Sequence, residues 1–383
     1  MSDDDPMTRE CPACHEMASS GRFCGHCGAD LDASPGTWRS RLRLRVFAAV
    51  PQERTSWPLI TTTLFPRLGE SLRLPFRHAV FLMLAMLALF SALKLLSPVV
   101  IVTSVGMSLL FLVYLWRSGA RKYISGWVLT LSAGIGIGIG VAWWYWSSDS
   151  IAREYGVPLA VSTQLAYSLR IGWFLLVVEA ALIAVPALVL WLCRVRVRES
   201  LDGFVIGALG ALLFSATGNI TWFAPQLFAG LADNYRPWRM FEEAYLYGFI
   251  DPLTAAAGGG MVGLVLWFRP RSGLGSDARQ CRLLLAVLAL VGVAMYVGVY
   301  LVDEAETPRE LEIVITSVLT GISLIAVRYA TQVALMYEEP DPKGDQTMLC
   351  GNCGQATPDT PFCPDCGIAR RALPLQLRRV PAA

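Results

Sequence analysis

Histidine and charged side chains are both scarce in this chain. Of its 383 residues only 16% are charged, and three are histidines: His15, His26 and His78. A soluble domain carries roughly a quarter charged residues, so the composition argues against a soluble protein. A hydrolytic zinc site normally uses imidazole ligands, and no histidine follows His78. The sequence therefore disfavours such a site in the remaining chain.

Hydrophobic residues make up 54% of the chain, which is typical of a polytopic membrane protein. The first apolar run starts near Ala79, too late for a signal peptide. Apolar runs long enough to span a bilayer predict eight transmembrane helices, near 79–96, 99–116, 126–146, 171–193, 203–224, 244–268, 283–302 and 312–336.

Cationic residues occur in alternate loops, which predicts the orientation of the helices. Three loops are basic, with Arg117, Arg121 and Lys122 in one, Arg194, Arg196 and Arg198 in the next, and Arg269, Arg271, Arg279 and Arg282 in the third. An opposite loop holds Asp303, Glu304, Glu306, Arg309 and Glu310. We expect a plasma-membrane protein with both termini in the cytoplasm.

Eight of the ten cysteines form two copies of one pattern, Cys-x2-Cys, nine residues, Cys-x2-Cys. Four thiolates at this spacing predict tetrahedral structural zinc. About 20 residues cannot build a core, so metal binding would supply the folding free energy. The predicted ligands of the two zinc ions are Cys11, Cys14, Cys24 and Cys27 at one end and Cys350, Cys353, Cys363 and Cys366 at the other.

Both segments resemble short zinc ribbons at the ends of many prokaryotic membrane proteins. Disulfide pairs are the alternative, but they require an oxidising compartment, whereas the expected cytoplasmic location is reducing. His15 and His26 are further potential ligands. Cys193 and Cys281 lie at the ends of apolar runs and are interpreted as ordinary small residues. The fold class predicted is an all-α polytopic membrane protein flanked by two small four-cysteine zinc ribbons.

The organisation expected from the sequence has five parts. They are an N-terminal ribbon (1–36), a basic arm (37–77), a membrane domain (78–337), a C-terminal ribbon (338–370) and a basic tail (371–383). The arm holds eight arginines against Glu53 and Glu70. Next to a membrane, its RLRLR stretch at 41–45 predicts binding to anionic lipid. Nucleic acid is a less favoured partner, since no aromatic stacking platform accompanies the charge.

Three polar residues lie within predicted spans, where buried charge usually indicates function. They are Glu179, Asp251 and Asn219. At about 1.5 Å per helical residue, all three are expected roughly 8–13 Å below the outer surface. They either line one cavity or each satisfy a neighbouring helix separately. The glycines of GIGIGIG at 134–140 predict close helix packing, and WWYW at 143–146 predicts an interfacial belt.

Four blocks over roughly 60–335 resemble the PrsW family: LFPRLGESLRLPFRHAV, VGMSLLFLVYLW, RESLDGFVIGALGALLFSATGNI and IDPLTAAAGGGMVGL. The resemblance implies a multi-span intramembrane metalloprotease fold, with anti-sigma factors as a substrate class. The family motifs are altered here. Glu-Glu-x-x-Lys is reduced to Glu179 through Ile183, the glutamate of the second motif is Gly218 before Asn219, and Asp251 replaces a histidine before Pro252 and Leu253.

These replacements favour a pseudoprotease that binds a membrane client in the former active site and docks a cytoplasmic protein through its ribbons. An active intramembrane protease is the first alternative, with Glu179 and Asp251 sharing a proton as in aspartic enzymes. Glu242 and Glu243 are a less favoured catalytic pair, because they follow the second motif. A proton-coupled carrier or channel that uses the two membrane carboxylates is the second alternative.

Overall fold

The computed structural model describes residues 9–12, 14–18, 21–32, 47–122, 124–155, 176–195, 197–228, 236–271, 276–304, 308–339, 348–378 and 380–381. Most of them are helical, which confirms the predicted all-α class. The helices are α1 (Ile60–Thr63), α2 (Glu70–Ala92), α3 (Leu96–Arg117), α4 (Gly126–Tyr155), α5 (Val185–Leu192), α6 (Ser200–Phe223), α7 (Pro237–Tyr245), α8 (Asp251–Trp267), α9 (Ser276–Glu304), α10 (Arg309–Tyr337) and α11 (Leu375–Arg378).

Seven helices among the described residues are long and apolar enough to cross a membrane. A π-helical turn, Leu246–Ile250, joins α7 to α8, so these three elements make one span. Many leucines and aromatic residues on α2, α3, α4 and α9 are exposed, as expected for helices that face lipid. The chain is a multi-pass membrane protein.

The fourth predicted span, 171–193, lies partly outside the described residues. Its described part is helical over 176–182, turns at 183–184 and continues as α5. Helices α4 and α6 run parallel, since Gly136 packs on the carbonyl of Gly210 and Gly140 on that of Phe214. Seven spans are described, and the eighth predicted one extends outside the described residues.

Helices α6 and α8 form the centre of the bundle and are almost entirely buried. Glycines allow their backbones to touch: a Cβ on Gly207 would lie 2.1 Å from the carbonyl oxygen of Gly259, and one on Gly263 would lie 2.1 Å from that of Gly203. Such small-residue contacts are the usual way in which helices pack closely in lipid. The GIGIGIG stretch makes the same contact, through Gly136 and Gly140.

The predicted basic arm, 37–77, is described from residue 47 onward, and its RLRLR stretch lies outside the described residues. Helix α2 begins inside the arm, at Glu70. Further along, Phe47 lies against the guanidinium of Arg328, which is fully buried in α10 and pairs with Glu53 at 3.0 Å. The arm thus supplies the partner that lets a charged residue occupy the last span.

Each terminal region forms a small ribbon at the same end of the bundle. The N-terminal ribbon contains an antiparallel pair, β1 (Arg9–Glu10) and β2 (Met17–Ala18). In the C-terminal ribbon, β3 (Met348–Leu349) lies between β4 (Ala356–Thr357) and β5 (Val380–Pro381). The basic ends of α3 and α8 lie at this end too, because both helices run toward it.

Candidate functional site

A polar cluster lies inside the bundle where α6, α8 and α9 meet. Asp251 begins α8 and is 3% exposed. One of its carboxylate oxygens accepts a hydrogen bond from the Ser215 hydroxyl of α6, and the other accepts one from the Tyr300 hydroxyl at 2.9 Å. Both oxygens of this buried acid are therefore satisfied by hydroxyl donors.

Glu179 belongs to the same cluster. It lies in the helical segment before α5 and accepts a hydrogen bond from Tyr296 at 3.2 Å. The hydroxyls of Tyr296 and Tyr300 are 3.5 Å apart. A chain of O–H···O contacts consequently joins Glu179 to Asp251 across three segments, which are the helical segment before α5, α9 and α8. The sequence left open whether these two acids share one cavity, and it assigned no role to Ser215, Tyr296 or Tyr300.

The third predicted residue, Asn219, lies one turn further along α6 from Ser215. Its side-chain amide donates a hydrogen bond to the carbonyl of Tyr247 at 2.8 Å. Tyr247 lies in the π-helical turn, where the widened backbone leaves carbonyls without their usual partners. Asn219 thus satisfies the turn that precedes Asp251 and makes no direct contact with either acid.

The position of Gly218 is closely packed. A Cβ placed there would lie 2.0 Å from Nε1 of the Trp144 indole. Trp144 is part of the WWYW stretch and also contacts Trp222. A larger side chain at 218 would require the indole to move away. Thus Trp144 of the predicted interfacial belt packs inward at this point.

Glu242 and Glu243 lie in different environments, although they are adjacent in α7. Glu242 is 3% exposed, and its Oε1 has no hydrogen-bond partner among the described residues. Glu243 pairs with Arg239 at 3.4 Å on the surface of the same helix. Both lie at the end of the bundle that is remote from the ribbons, and neither is hydrogen-bonded to Glu179 or Asp251.

The eight predicted metal ligands form two groups of four cysteines, as the spacing indicates. Within each group the Sγ atoms lie within 4.8 Å of one another. Shorter separations of 3.7–3.8 Å recur in both groups. A zinc tetrahedron with bonds of about 2.3 Å has edges of about 3.8 Å, whereas a disulfide is about 2.05 Å long. Both groups can therefore hold a metal ion, and their geometry fits zinc; His15 instead contacts Glu10.

The two ribbons pack against each other with approximate two-fold symmetry. The amide of Phe23 donates to the carbonyl of Pro364 at 2.8 Å, and that of Phe362 donates to the carbonyl of Gly25 at 3.0 Å. These are equivalent residues, since each donor precedes the third cysteine of its ribbon and each acceptor follows it. The phenylalanine rings pack in the same reciprocal way, on the glycine that follows the partner's fourth cysteine.

An ion network fastens the ribbons to the helices. Arg67, which is 2% exposed, pairs with Glu199 at 2.6 Å and with Asp202. Glu199 also binds Arg378 of the C-terminal tail at 2.7 Å. Burial opposes the charge on Glu199, but attraction by Arg67 and hydrogen bonding from Arg378 outweigh it and lower its pKa to about 2.

A second contact of the tail involves Glu338, which follows α10. Arg371 binds Glu338 at 2.9 Å, and Glu338 accepts the amide of Ser200 at the start of α6. Burial raises the pKa of Glu338 to about 7 despite the attraction of Arg371. The tail therefore bridges the beginning of α6 and the end of α10.

Comparison with family models, with curated proteins and with solved structures finds no similar family, relative or fold.

Proposed function

We propose that this protein is a PrsW-like membrane scaffold without peptidase chemistry, located in the plasma membrane with both termini in the cytoplasm. Its helical core binds a membrane-protein client, and its two ribbons, each holding zinc, present a docking surface to a cytoplasmic protein. Membrane lipid surrounds the protein and is a further partner. The basic loops at the ribbon end support this orientation, and a reducing compartment would keep the thiols available for metal.

The packing at Gly218 carries this proposal. In the family motif that the sequence resembles, a glutamate occupies the position before the asparagine. Here the Trp144 indole fills the space that such a side chain would need. The other substituted position, Asp251, has both of its oxygens engaged by hydroxyls. A hydrolytic metal requires about three protein ligands and a water, and this set of donors does not provide them.

A cleavage assay tests the proposal. Purified wild-type protein in detergent is incubated with single-span membrane peptides, beside Glu179→Gln and Asp251→Asn variants. We expect no cleavage by any of the three proteins. Peptide cleavage by the wild type that both substitutions abolish would establish the active protease and refute the scaffold.

Client binding is measured separately, because a scaffold must still hold its partner. Photo-crosslinking groups placed at residues beside the polar cluster would capture single-span peptides in the wild type. The same peptides should be retained by Asp251→Asn, which preserves the shape of the cluster. Failure to capture any membrane peptide would remove the client from the proposal.

The proton-coupled carrier is the second candidate, favoured by the continuous chain of hydroxyl contacts between Glu179 and Asp251. Such chains can relay protons. Proton flux into liposomes should then fall in Tyr300→Phe, which removes the hydroxyl that contacts Asp251. It should stay unchanged in Tyr245→Phe, whose hydroxyl contacts Ser317 instead. Flux that is absent from the wild type would eliminate this candidate.

A further inference from the structure

A second candidate site lies at the end of the bundle remote from the ribbons. There the first turns of α7 and α10 enclose an open cavity of about 870 Å³. Pockets for small ligands typically measure about 300–1,000 Å³. Its polar lining comes from Arg236, Arg239 and Glu242 on the α7 side and from Arg309 and Glu310 on the α10 side. None of these residues belongs to the Glu179–Asp251 cluster.

The cavity is built to receive an anion. Arg236 and Pro308 are the residues that precede α7 and α10, so two helix N-termini meet at this cavity. Amides in the first turn of a helix lack intrahelical partners and favour negative charge. Arg236 is exposed and makes no ion pair within the described part of the chain, whereas Arg239 and Arg309 are already engaged by Glu243 and Glu312. Arg236 is thus available to an incoming anion.

The same cavity also presents a buried acceptor. Glu242 is only 3% exposed, yet within the part of the chain that the structure describes its Oε1 has no hydrogen-bond partner. An unsatisfied buried carboxylate oxygen is costly, and a charged donor is the strongest partner for it. A molecule that pairs with both Arg236 and Glu242 carries an anionic group and, a short distance away, a cation with N–H donors.

We propose that this cavity binds the head group of an ethanolamine phospholipid. The phosphate would lie at the helix N-termini beside Arg236, and the ammonium would donate to Glu242. A primary ammonium has three donors, whereas the quaternary nitrogen of choline has none. A lipid is favoured over a soluble molecule because α7 continues directly into a membrane span and carries Trp238, which is 59% exposed and suited to the membrane interface.

Lipid retention by the full-length protein tests the assignment. Native mass spectrometry would count the lipids that remain bound after purification in detergent supplemented with equal amounts of phosphatidylethanolamine and phosphatidylcholine. We expect the wild type to prefer phosphatidylethanolamine by about tenfold or more, the value of a hydrogen bond to a charged group. Glu242→Gln should remove the preference, and Arg236→Gln should weaken retention of both lipids alike.

The matched control is Glu310→Gln, which removes an exposed carboxylate from the same cavity and should leave the preference unchanged. Equal retention of both lipids by the wild type, or an undiminished preference in Glu242→Gln, would overturn the proposal. Free O-phosphoethanolamine is tested in the same way. If it binds only when Glu242 is present, while the protein does not prefer phosphatidylethanolamine over phosphatidylcholine, the site belongs to a soluble amine and the lipid assignment is contradicted. If Glu242→Gln does not fold, the proposal is tested by the ratio of the two lipids retained by the wild type and by the retention of both lipids in Arg236→Gln.

Discussion

Replacing Gly28 by alanine should separate the two ribbons, because the glycine lies directly against the partner ribbon. Its φ is +72°, and a Cβ there would lie 2.5 Å from the Phe362 ring. That ring is 1% exposed and packs with Phe47 and Ala369, so it has little room to retreat. The symmetric change, Gly367→Ala, meets the Phe23 ring at 2.9 Å from a φ of +75°.

The chain contains a matched control in Gly354. It follows a cysteine of the C-terminal ribbon with a φ of +73°, and a Cβ there meets nothing within 4 Å. Alanine in the left-handed region costs about 1–2 kcal/mol at any of the three positions. Overpacking adds about 1–3 kcal/mol only at Gly28 and Gly367. We therefore expect these two variants to be less stable than Gly354→Ala by about 1–3 kcal/mol.

The assay is the chelator concentration that removes half of the bound metal, followed with a chromogenic chelator. Gly28→Ala should ease metal loss from both ribbons, because each ribbon supplies the surface on which the other packs. Gly354→Ala should produce a smaller change. If all three variants lose metal equally, the reciprocal contact between the ribbons does not exist as described.

The remaining predictions concern the ion network, the coupling of the ribbons and the polar cluster. Glu199→Gln should destabilise the protein by about 3–5 kcal/mol in thermal unfolding at neutral pH, since it leaves the buried Arg67 with one partner fewer. Glu338→Gln should destabilise the protein less. Equal losses of stability in the two variants would contradict the assigned pKa values. Because the pKa of Glu199 in the folded protein is lowered to about 2, its contribution to stability is present above its ordinary pKa of about 4.3 and should be lost as the pH falls toward 2. A Glu199→Gln variant should lack this loss of stability in acid. Cys363→Ser should weaken metal binding in the N-terminal ribbon as well as its own, measured by the same chelator titration, and an unaffected N-terminal site would argue against coupling. Tyr296→Phe should lower the melting temperature more than Tyr145→Phe, which alters a residue that is 79% exposed, because it removes a hydrogen bond from the buried Glu179.

The sequence predicted the main architecture because length and hydropathy determine it directly. Seven of the predicted spans correspond to described membrane helices, and the two four-cysteine groups form where the spacing places them. The start of α2 is the clearest difference: the helix begins at Glu70, whereas hydropathy predicted a span from residue 79. Arg73 and Arg77 lower the hydropathy of this turn, but they do not prevent a helix from forming.

The details of the polar cluster were harder to predict from the sequence. Glu179 and Asp251 could be identified because acids are conspicuous in apolar helices, whereas Tyr296 and Tyr300 resemble ordinary aromatic residues of a membrane span. Their spacing of four residues places both hydroxyls on one face of α9, and this was the only available signal. The sequence also left open whether Asn219 belongs with the acids, and its side-chain amide instead donates to the carbonyl of Tyr247 in the π-helical turn.

The pairing of the ribbons shows a second limit. An even number of spans predicts that both ribbons lie at the same end of the bundle, and they do. The reciprocal contacts of Phe23 and Phe362 depend on how two separately encoded units dock, which no local pattern specifies. The tail residues Arg371 and Arg378 likewise find their partners only in the assembled fold.

The central proposal is that the membrane core of this protein holds no catalytic metal, whereas each ribbon holds one zinc ion. Metal content per chain, measured by mass spectrometry on protein purified without added metal, tests it most directly. We predict two zinc ions, both lost when the eight ribbon cysteines are replaced and both retained in Asp251→Asn. A third metal ion that survives the cysteine replacements and disappears in Glu179→Gln and Asp251→Asn would contradict the account.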